Sequence, residues 1–292
     1  MSGGISNCAY QIGFLKALLK YISRDEIALL SCSSAGISVG YALSADKLDY
    51  IENLYKSVDI SKPSELLWQV FAKGLLNDYI ETMVDSDDNL EIPLCFPVCY
   101  IPFWSIKYYW VSGAYNRQWK KYLIAAINYP FLKIIPSFVD GRLAIDGGAI
   151  DNIPLFPLLQ NSRPMPREEN FDLIFVLHFD ARYDYRREFK TDIPVLELDL
   201  SYSNNFEKAH YDYSTSTITN KIDKAYRYGE KIALRLFSGD ETKEHFQKVI
   251  NEIFLEEHTA RQQNFSLDRM LSFLNVAGKV FRNDKHCIKK LY

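Results

Sequence analysis

The sequence has no excess of positive charge, and this absence excludes a class of partner. Its 292 residues carry 34 basic and 37 acidic side chains, which gives a formal net charge of −3. A nucleic-acid-binding protein normally presents a clustered basic surface, so we expect no nucleic-acid partner. Basic and acidic residues alternate near the C-terminus, which is typical of a solvated surface.

Cysteine is scarce, and long uninterrupted apolar runs are missing. The 5 cysteines have irregular spacing that fits neither a disulfide framework nor a zinc site, so we expect reduced thiols, no metal and a cytoplasmic protein. The longest apolar zone, residues 92–111, is interrupted by Pro93, Pro97 and Pro102 and does not indicate a membrane span. Hydrophobic residues still make up 48% of the chain, enough for a substantial core.

Short apolar runs alternate with amphipathic segments along the chain. Apolar runs of strand length cover residues 27–30, 142–145, 173–178 and 195–200, and residues 92–111 indicate an aromatic hairpin. Helical periodicity marks residues 9–22, 35–55, 64–83, 214–237, 241–259 and 268–281. This order predicts an α/β fold with three α/β/α layers and a mostly parallel central sheet. The chain becomes more charged after residue 238, so we predict a domain of residues 1–238 and a helical extension of residues 239–292.

The stretch CSSAG at residues 32–36 lies between a predicted strand and a predicted helix. A serine on such a turn is the arrangement of a nucleophile elbow, whose flanking residues must be small because their backbones nearly touch. Gly36 meets this demand, whereas Cys32 meets it only partly. We prefer Ser34 to Ser33 as the nucleophile because its flanking residues are smaller. Taken alone, such a turn is more often structural than catalytic.

Two glycine-containing turns accompany this serine. Gly3 and Gly4 precede a predicted helix, whose first N–H groups can receive an anion. Asp146 precedes two glycines at the end of a predicted strand, and Asn152 follows shortly after. Asp151 and Asn152 are expected to shape the turn rather than to touch substrate. Each turn alone is most often structural, but a nucleophile, a carboxylate and N–H donors are the parts that acyl transfer requires.

Together these segments resemble the patatin-like phospholipase family. Residues 2–18, SGGISNCAYQIGFLKAL, are similar to the family's SGGGARGAYQIGVLKAL, and CSSAG is similar to its GTSAG elbow. Residues 146–148, DGG, with NIP at 152–154 match the family's DGG or DGA followed by N-x-P. The resemblance spans about residues 2 to 237. It implies hydrolysis of acyl esters in phospholipids and related lipids, no cofactor, and transient contact of a peripheral kind with a membrane surface.

The resemblance also implies a Ser-Asp dyad in place of a triad with histidine. Ser34 would be the nucleophile and Asp146 the base that acts on it directly. Backbone N–H groups would form the oxyanion hole, namely those of Gly3, Gly4, Ile5 and Ala35. Among the five histidines, His178 ends an apolar strand, which leaves an α/β-hydrolase with a catalytic histidine as an alternative.

Four positions depart from the family's pattern. Ile5 and Cys8 stand where the family has glycine, Asn7 where it usually has a basic residue, and Cys32 where the elbow begins with glycine. A β-branched residue at positive φ is strained by about 1–2 kcal/mol. Losing one oxyanion donor lowers transition-state stabilisation by about 3 kcal/mol. A catalytically impaired lipid-binding or scaffold protein on the same fold is therefore our second hypothesis.

The family also begins with a central strand before its glycine-rich run, and no such strand precedes Ser2. We expect the natural protein to begin upstream of Met1, or its start site to be misassigned. The aromatic residues of the predicted hairpin favour a packed core over an acyl pocket or direct bilayer contact. The preferred lipid, the acyl position and the oligomeric state stay open.

Overall fold

The computed structural model describes residues 1–69, 73–128, 137–159, 171–180, 183–187, 189–200 and 212–259. The strands are Leu30–Ser31 (β1), Asn89–Ile101 (β2), Ser105–Ala114 (β3), Ser137–Val139 (β4), Arg142–Asp146 (β5), Ile174–His178 (β6) and Val195–Asp199 (β7). The α-helices are Cys8–Leu18 (α1), Gly36–Ser44 (α2), Leu48–Ser57 (α3), Pro63–Leu67 (α4), Leu75–Met83 (α5), Arg117–Ala126 (α6), Phe156–Leu159 (α7) and Thr215–Phe237 (α8). Residues 243–259 are also helical, and the helix predicted at 268–281 lies outside the described residues.

The described strands form two sheets. In the larger one, β2 pairs parallel with β1 and antiparallel with β3 and β5, and β4 pairs antiparallel with β5. In the smaller one, β6 and β7 are parallel. The predicted α/β fold is thereby confirmed, as a mixed sheet with parallel core strands and accompanying helices. Residues 94–100 of β2 are all buried, as expected of a strand that is paired on both edges and covered on both faces.

Helices α1 and α8 pack directly on each other. A methyl group at Gly13 of α1 would overlap the backbone of Ile222 in α8, so the glycine lets the two backbones approach closely. Ser214 caps α8, because its side chain accepts a hydrogen bond from the N–H of Thr217 at 3.4 Å. The helix predicted at 214–237 is confirmed with this cap.

Two predicted helices are interrupted, and each break coincides with a residue at positive φ. The single helix predicted at 35–55 is wrong: Asp46, with φ of 59°, separates α2 from α3. The segment predicted as one helix at 64–83 contains α4 and α5, and Gly74 precedes α5 with φ of 77°. Helical periodicity continues across these points, so the sequence pattern alone does not indicate where each helix ends.

The chain divides into two compact units, Met1–Val249 and Ile250–Tyr292. Ser34, Asp146 and the segment Gly3–Ile5 all belong to the first unit. Of the second unit, residues 250–259 are described, and they are helical. The boundary predicted after residue 238, between the domain and the helical extension, stays a prediction. Within the described ranges, we find no helix with both the length and the apolar character needed to cross a membrane.

Candidate active site

Ser34 lies on a tight turn between β1 and α2. The strand ends at Ser31, the helix begins at Gly36, and Ser34 has a φ of 50°. This is the left-handed region, which a serine occupies only when the surrounding structure holds it there. The Ser34 side chain is partly exposed, whereas Ser33 is fully buried. The turn therefore has the strained geometry of a nucleophile elbow and presents Ser34 rather than Ser33.

The two flanks of the elbow are accommodated differently. At Gly36 an added Cβ would lie 2.5 Å from the carbonyl oxygen of Ser2, so this flank has no room for a side chain. Cys32 does carry a side chain, and it is fully buried. The space for its sulfur exists because Gly40 of α2 has no side chain, and a methyl group there would overlap Cys32 Sγ. The departure at Cys32 is thus matched by a glycine in the helix that follows the elbow.

Asp146 ends strand β5 and faces Ser34. It lies opposite Val98 of β2, is only 1% exposed, and accepts a hydrogen bond from the N–H of Gly148 at 2.7 Å. Burial raises the pKa of Asp146 to about 6, although the Ser34 hydroxyl and the Gly148 N–H both favour its charged form and act in the opposite direction. A carboxyl group with a pKa near neutrality can take a proton from a nucleophile and return it later.

His178 does not join this pair. Its Nδ1 accepts a hydrogen bond from the N–H of Asp180 at 3.2 Å, and its Nε2 lies 3.5 Å from Glu197 Oε1. The ring also packs edge-on against Tyr183. Both ring nitrogens thus face residues of β7 or of the loop after β6. Within the described residues, no contact links His178 to Ser34. This arrangement favours a structural role for His178.

The segment Gly3–Ile5 lies against Ser34. A methyl group at Gly3 would overlap Ser34 Cβ, which explains why this position is glycine. Ile5 has a φ of 47°, so the strain expected of a β-branched residue at positive φ applies to it. Among the described residues, the N–H groups of Ile5 and Ala35 make no hydrogen bond, whereas that of Gly4 interacts with the Cys8 thiol and acts to lower its pKa. The N–H groups of Ile5 and Ala35 are therefore available to an anion near Ser34.

Asn152 holds the predicted donor at Gly3. Its Oδ1 accepts a hydrogen bond from the N–H of Gly3 at 3.1 Å, so that N–H group is already used. From the sequence, Asn152 was expected only to shape the turn after Asp146. It also ties that turn to the glycine-containing segment, and its place in the N-x-P motif was the available signal.

Lys221 is a residue of the site that sequence reasoning missed. It is 1% exposed on α8, and its Nζ donates hydrogen bonds to Ser6 Oγ at 2.8 Å and to Asn7 Oδ1 at 3.1 Å. A buried ammonium group requires such partners because it is expensive to remove from water. The signal was a lysine on the apolar face of a helix, directly before Ile222.

A comparison with models of protein families gives a match. A family model described as Patatin-like phospholipase matches residues 1–159, which is more than half of the chain. The matched range contains Ser34, Asp146, Asn152 and the segment Gly3–Ile5, and it ends before Lys221. No curated protein matches the chain.

Proposed function

Because this chain belongs to the patatin-like phospholipase family, a family of lipid acyl hydrolases, we propose that it is a serine hydrolase of lipid acyl esters. The reaction would be of the phospholipase A or lysophospholipase type, and Ser34 and Asp146 would form its catalytic dyad. The observation that carries this proposal is that Ser34, on its strained turn, faces the buried Asp146 carboxyl group, whose pKa the Ser34 hydroxyl acts to lower.

In the first half of the reaction, Ser34 Oγ attacks the carbonyl carbon of the ester while its proton moves to Asp146. The carbonyl oxygen becomes an oxyanion, which the N–H groups of Ile5 and Ala35 can stabilise. The tetrahedral intermediate then collapses, and the leaving alcohol takes the proton from Asp146. An acyl group remains on Ser34.

In the second half, water attacks the acyl group with Asp146 as the base, which releases the fatty acid and restores Ser34. Asp146 must be ionised at the start of each half. Since its pKa is raised to about 6, we expect kcat/KM to fall as the pH decreases through about 6.

Lys221 supports the segment that follows the proposed N–H donors. By holding Ser6 and Asn7, it fixes the turn that follows the donor at Ile5. It also places a positive charge near a position where the family usually has a basic residue and this chain has Asn7. We assign Lys221 a positioning role.

Exposed aromatic side chains support transient contact with a membrane surface. Phe103 and Trp104 at the β2–β3 tip are 88% and 48% exposed, and Phe138 of β4 is 67% exposed. Strand β2 extends to this tip beyond Val98, the residue opposite Asp146, so the tip projects from the same end of the sheet as the dyad. Aromatic residues of this kind favour the bilayer interface. Replacing Phe103 and Trp104 with alanine should reduce hydrolysis of phospholipid vesicles about tenfold and leave a soluble short-chain ester unaffected.

A fluorophosphonate probe, which reacts with activated serines, tests the proposal. The wild-type protein should be labelled and should hydrolyse lysophospholipid or phospholipid. Ser34→Ala should lose both properties, with activity reduced about 10⁴-fold or more. Ser33→Ala is the matched control, because it removes the adjacent hydroxyl and leaves the dyad in place.

Failure to label folded wild-type protein would reject the hydrolase proposal. In that case, binding of the same lipids without turnover would favour the lipid-binding or scaffold alternative. Labelling that persists in Ser34→Ala but is lost in Ser33→Ala would move the nucleophile to the neighbouring residue.

A further inference from the structure

The carboxyl end of β6 lies beside the segment Gly3–Ile5. The N–H of Ser2 donates a hydrogen bond to the carbonyl of Leu177 in β6 at 3.0 Å, which joins the start of the segment to this strand. Two residues further along the chain, Phe179 packs on Gly4. A Cβ at Gly4 would lie 2.5 Å and 2.7 Å from two carbons of the Phe179 ring. The ring therefore occupies the place that a side chain at Gly4 would take.

The turn after β6 holds Phe179 in this position. His178, the last residue of β6, is 1% exposed, and its Nδ1 accepts a hydrogen bond from the N–H of Asp180 at 3.2 Å. This bond closes a tight turn around Phe179. The buried ring of Tyr10 lies 6.4 Å from the Phe179 ring, with an angle of 44° between the two planes. Backbone and ring contacts thus hold Phe179 against Gly4.

Phe179 lies close to the atoms that would react. A Cβ at Gly3 would overlap Ser34 Cβ, and Gly4 follows at the distance between consecutive Cα atoms, about 3.8 Å. In the proposed reaction, the carbonyl carbon of the ester meets Ser34 Oγ while its oxygen accepts a hydrogen bond from the N–H of Ile5. A substituent that extends from this carbon along the segment then reaches the Phe179 ring.

The surface at this place is apolar. Phe179 is only partly buried, so part of its ring can contact a bound molecule. Ile5, the residue after Gly4, is also apolar and partly buried. Neither side chain has a hydrogen-bonding group for the glycerol or the polar headgroup of a lipid. An alkyl chain that covers the ring removes apolar surface from water, which is favourable. The chemistry of this surface therefore fits the acyl part of a substrate.

We propose that Phe179 is a specificity-determining residue, which binds the first carbons of the acyl chain next to the carbonyl group. The ring gives a medium-length chain an apolar contact that an acetyl group is too short to make. This inference rests on the proposed hydrolase function and names a further part of the same site. Phe179 lies beyond residues 1–159, the range that the family model matches.

The test measures kcat and KM of the full chain on p-nitrophenyl acetate and p-nitrophenyl octanoate. Phe179→Ala should raise KM for the octanoate about tenfold and lower the octanoate-to-acetate ratio of kcat/KM by the same factor. Phe179→Leu keeps an apolar side chain, so its ratio should fall by less than about threefold. Phe175→Ala is the matched control, because this ring lies on the same strand but packs on Phe14 of α1. Its ratio should equal that of the wild type.

The ratio separates binding of the chain from a purely structural role of Phe179. Loss of packing on Gly4 would disturb the neighbouring N–H donors and lower kcat for both esters alike, which leaves the ratio unchanged. The ratio also does not depend on the fraction of each variant that folds, since both esters are measured on the same preparation.

An unchanged ratio in Phe179→Ala would overturn the proposal. A higher ratio would also overturn it, because the ring would then obstruct the chain instead of binding it. Either result, with hydrolysis that is lost in Ser34→Ala, rejects only the role of Phe179. Absence of hydrolysis of both esters by folded wild-type protein would reject this role together with the proposed function.

Discussion

The turn that carries Ser34 and the segment Gly3–Ile5 lie against each other, but different parts of the chain hold them. The elbow is built from consecutive residues, with Gly36 at its tight flank and Cys32 packed against the next helix. The glycine-containing segment is held by Asn152 and by Lys221, which are far away in the sequence. A short motif can encode the first arrangement, whereas the second depends on the completed fold.

The same contrast applies to their departures from the family pattern. At the elbow, the Cys32 side chain occupies space that Gly40 of the next helix leaves free. At the glycine-containing segment, Ile5 retains a left-handed backbone, and the neighbouring Asn7 is paired with Lys221. The proposed nucleophile side, at Ser34, is thus locally complete, and the proposed donor side, at Gly3–Ile5, is supported from a distance. Three variants test this distinction.

The largest effect is expected at the nucleophile side. Asp146→Asn should reduce kcat on a short-chain ester about 10³-fold or more, because the amide cannot accept the proton of Ser34. The control is Asp151→Asn, which changes a nearby carboxylate that bonds to Tyr108. Activity in Asp146→Asn close to that of the wild type would exclude Asp146 as the base.

The same substitution should stabilise the fold in a pH-dependent way. The buried Asp146 has its pKa raised from 3.8 to about 6, so folding disfavours its charged form, and its contribution becomes less favourable as the pH rises from about 4 to about 6. At 1.36 kcal/mol per pKa unit, Asp146→Asn should gain up to about 3 kcal/mol at pH 7.5 and almost nothing at pH 4. Urea unfolding at both pH values measures this difference. An equal gain at both would contradict the assigned pKa.

On the donor side, Lys221→Met should reduce kcat about 10- to 100-fold while KM for a short-chain ester changes little. The reason is that Ser6 and Asn7 lose the group that fixes their turn. Lys231→Met, on the exposed face of the same helix, is the matched control. If Lys221→Met only lowers the melting temperature and keeps its kcat, the lysine is structural. Activity would then not depend on distant support of the segment Gly3–Ile5.

The smallest effect is expected from Ile5→Gly. Glycine adopts positive φ without strain, and Ile5 is only partly buried, so the variant should be more stable by about 1 kcal/mol. Thermal unfolding measures the gain, and Ile5→Ala serves as the control because it shortens the side chain and keeps the strain. Equal stability of the two variants would show that the backbone at this position is not strained.

Much of the fold could be predicted from local pattern. The strands near Asp146 and His178 and the helix after Ser214 follow from periodicity and capping, which are properties of neighbouring residues. The break at Asp46 could not be predicted, because the apolar spacing continues through it. The separation of β1 from β6 was also invisible, since strand pairing depends on partners distant in the sequence.

For the site, residue types and spacing indicated Ser34 and Asp146 as candidates. They could not indicate that Asn152 uses the N–H of Gly3, because that hydrogen bond joins two loops 149 residues apart. Lys221 was hidden for a related reason. A lysine in an amphipathic helix is normally solvated, and only the packing of α8 on α1 shows that this one is enclosed.

The contact between Gly13 and Ile222 has an evolutionary consequence. It fixes the register of α8 against α1 next to Lys221, and a slide of one helical turn would move that lysine by about 5.4 Å. If the proposed dyad is correct, natural variation at this helix crossing, away from the reacting atoms, should tune turnover while Ser34 and Asp146 are unchanged. Two homologues with the same two residues need not then be equally fast.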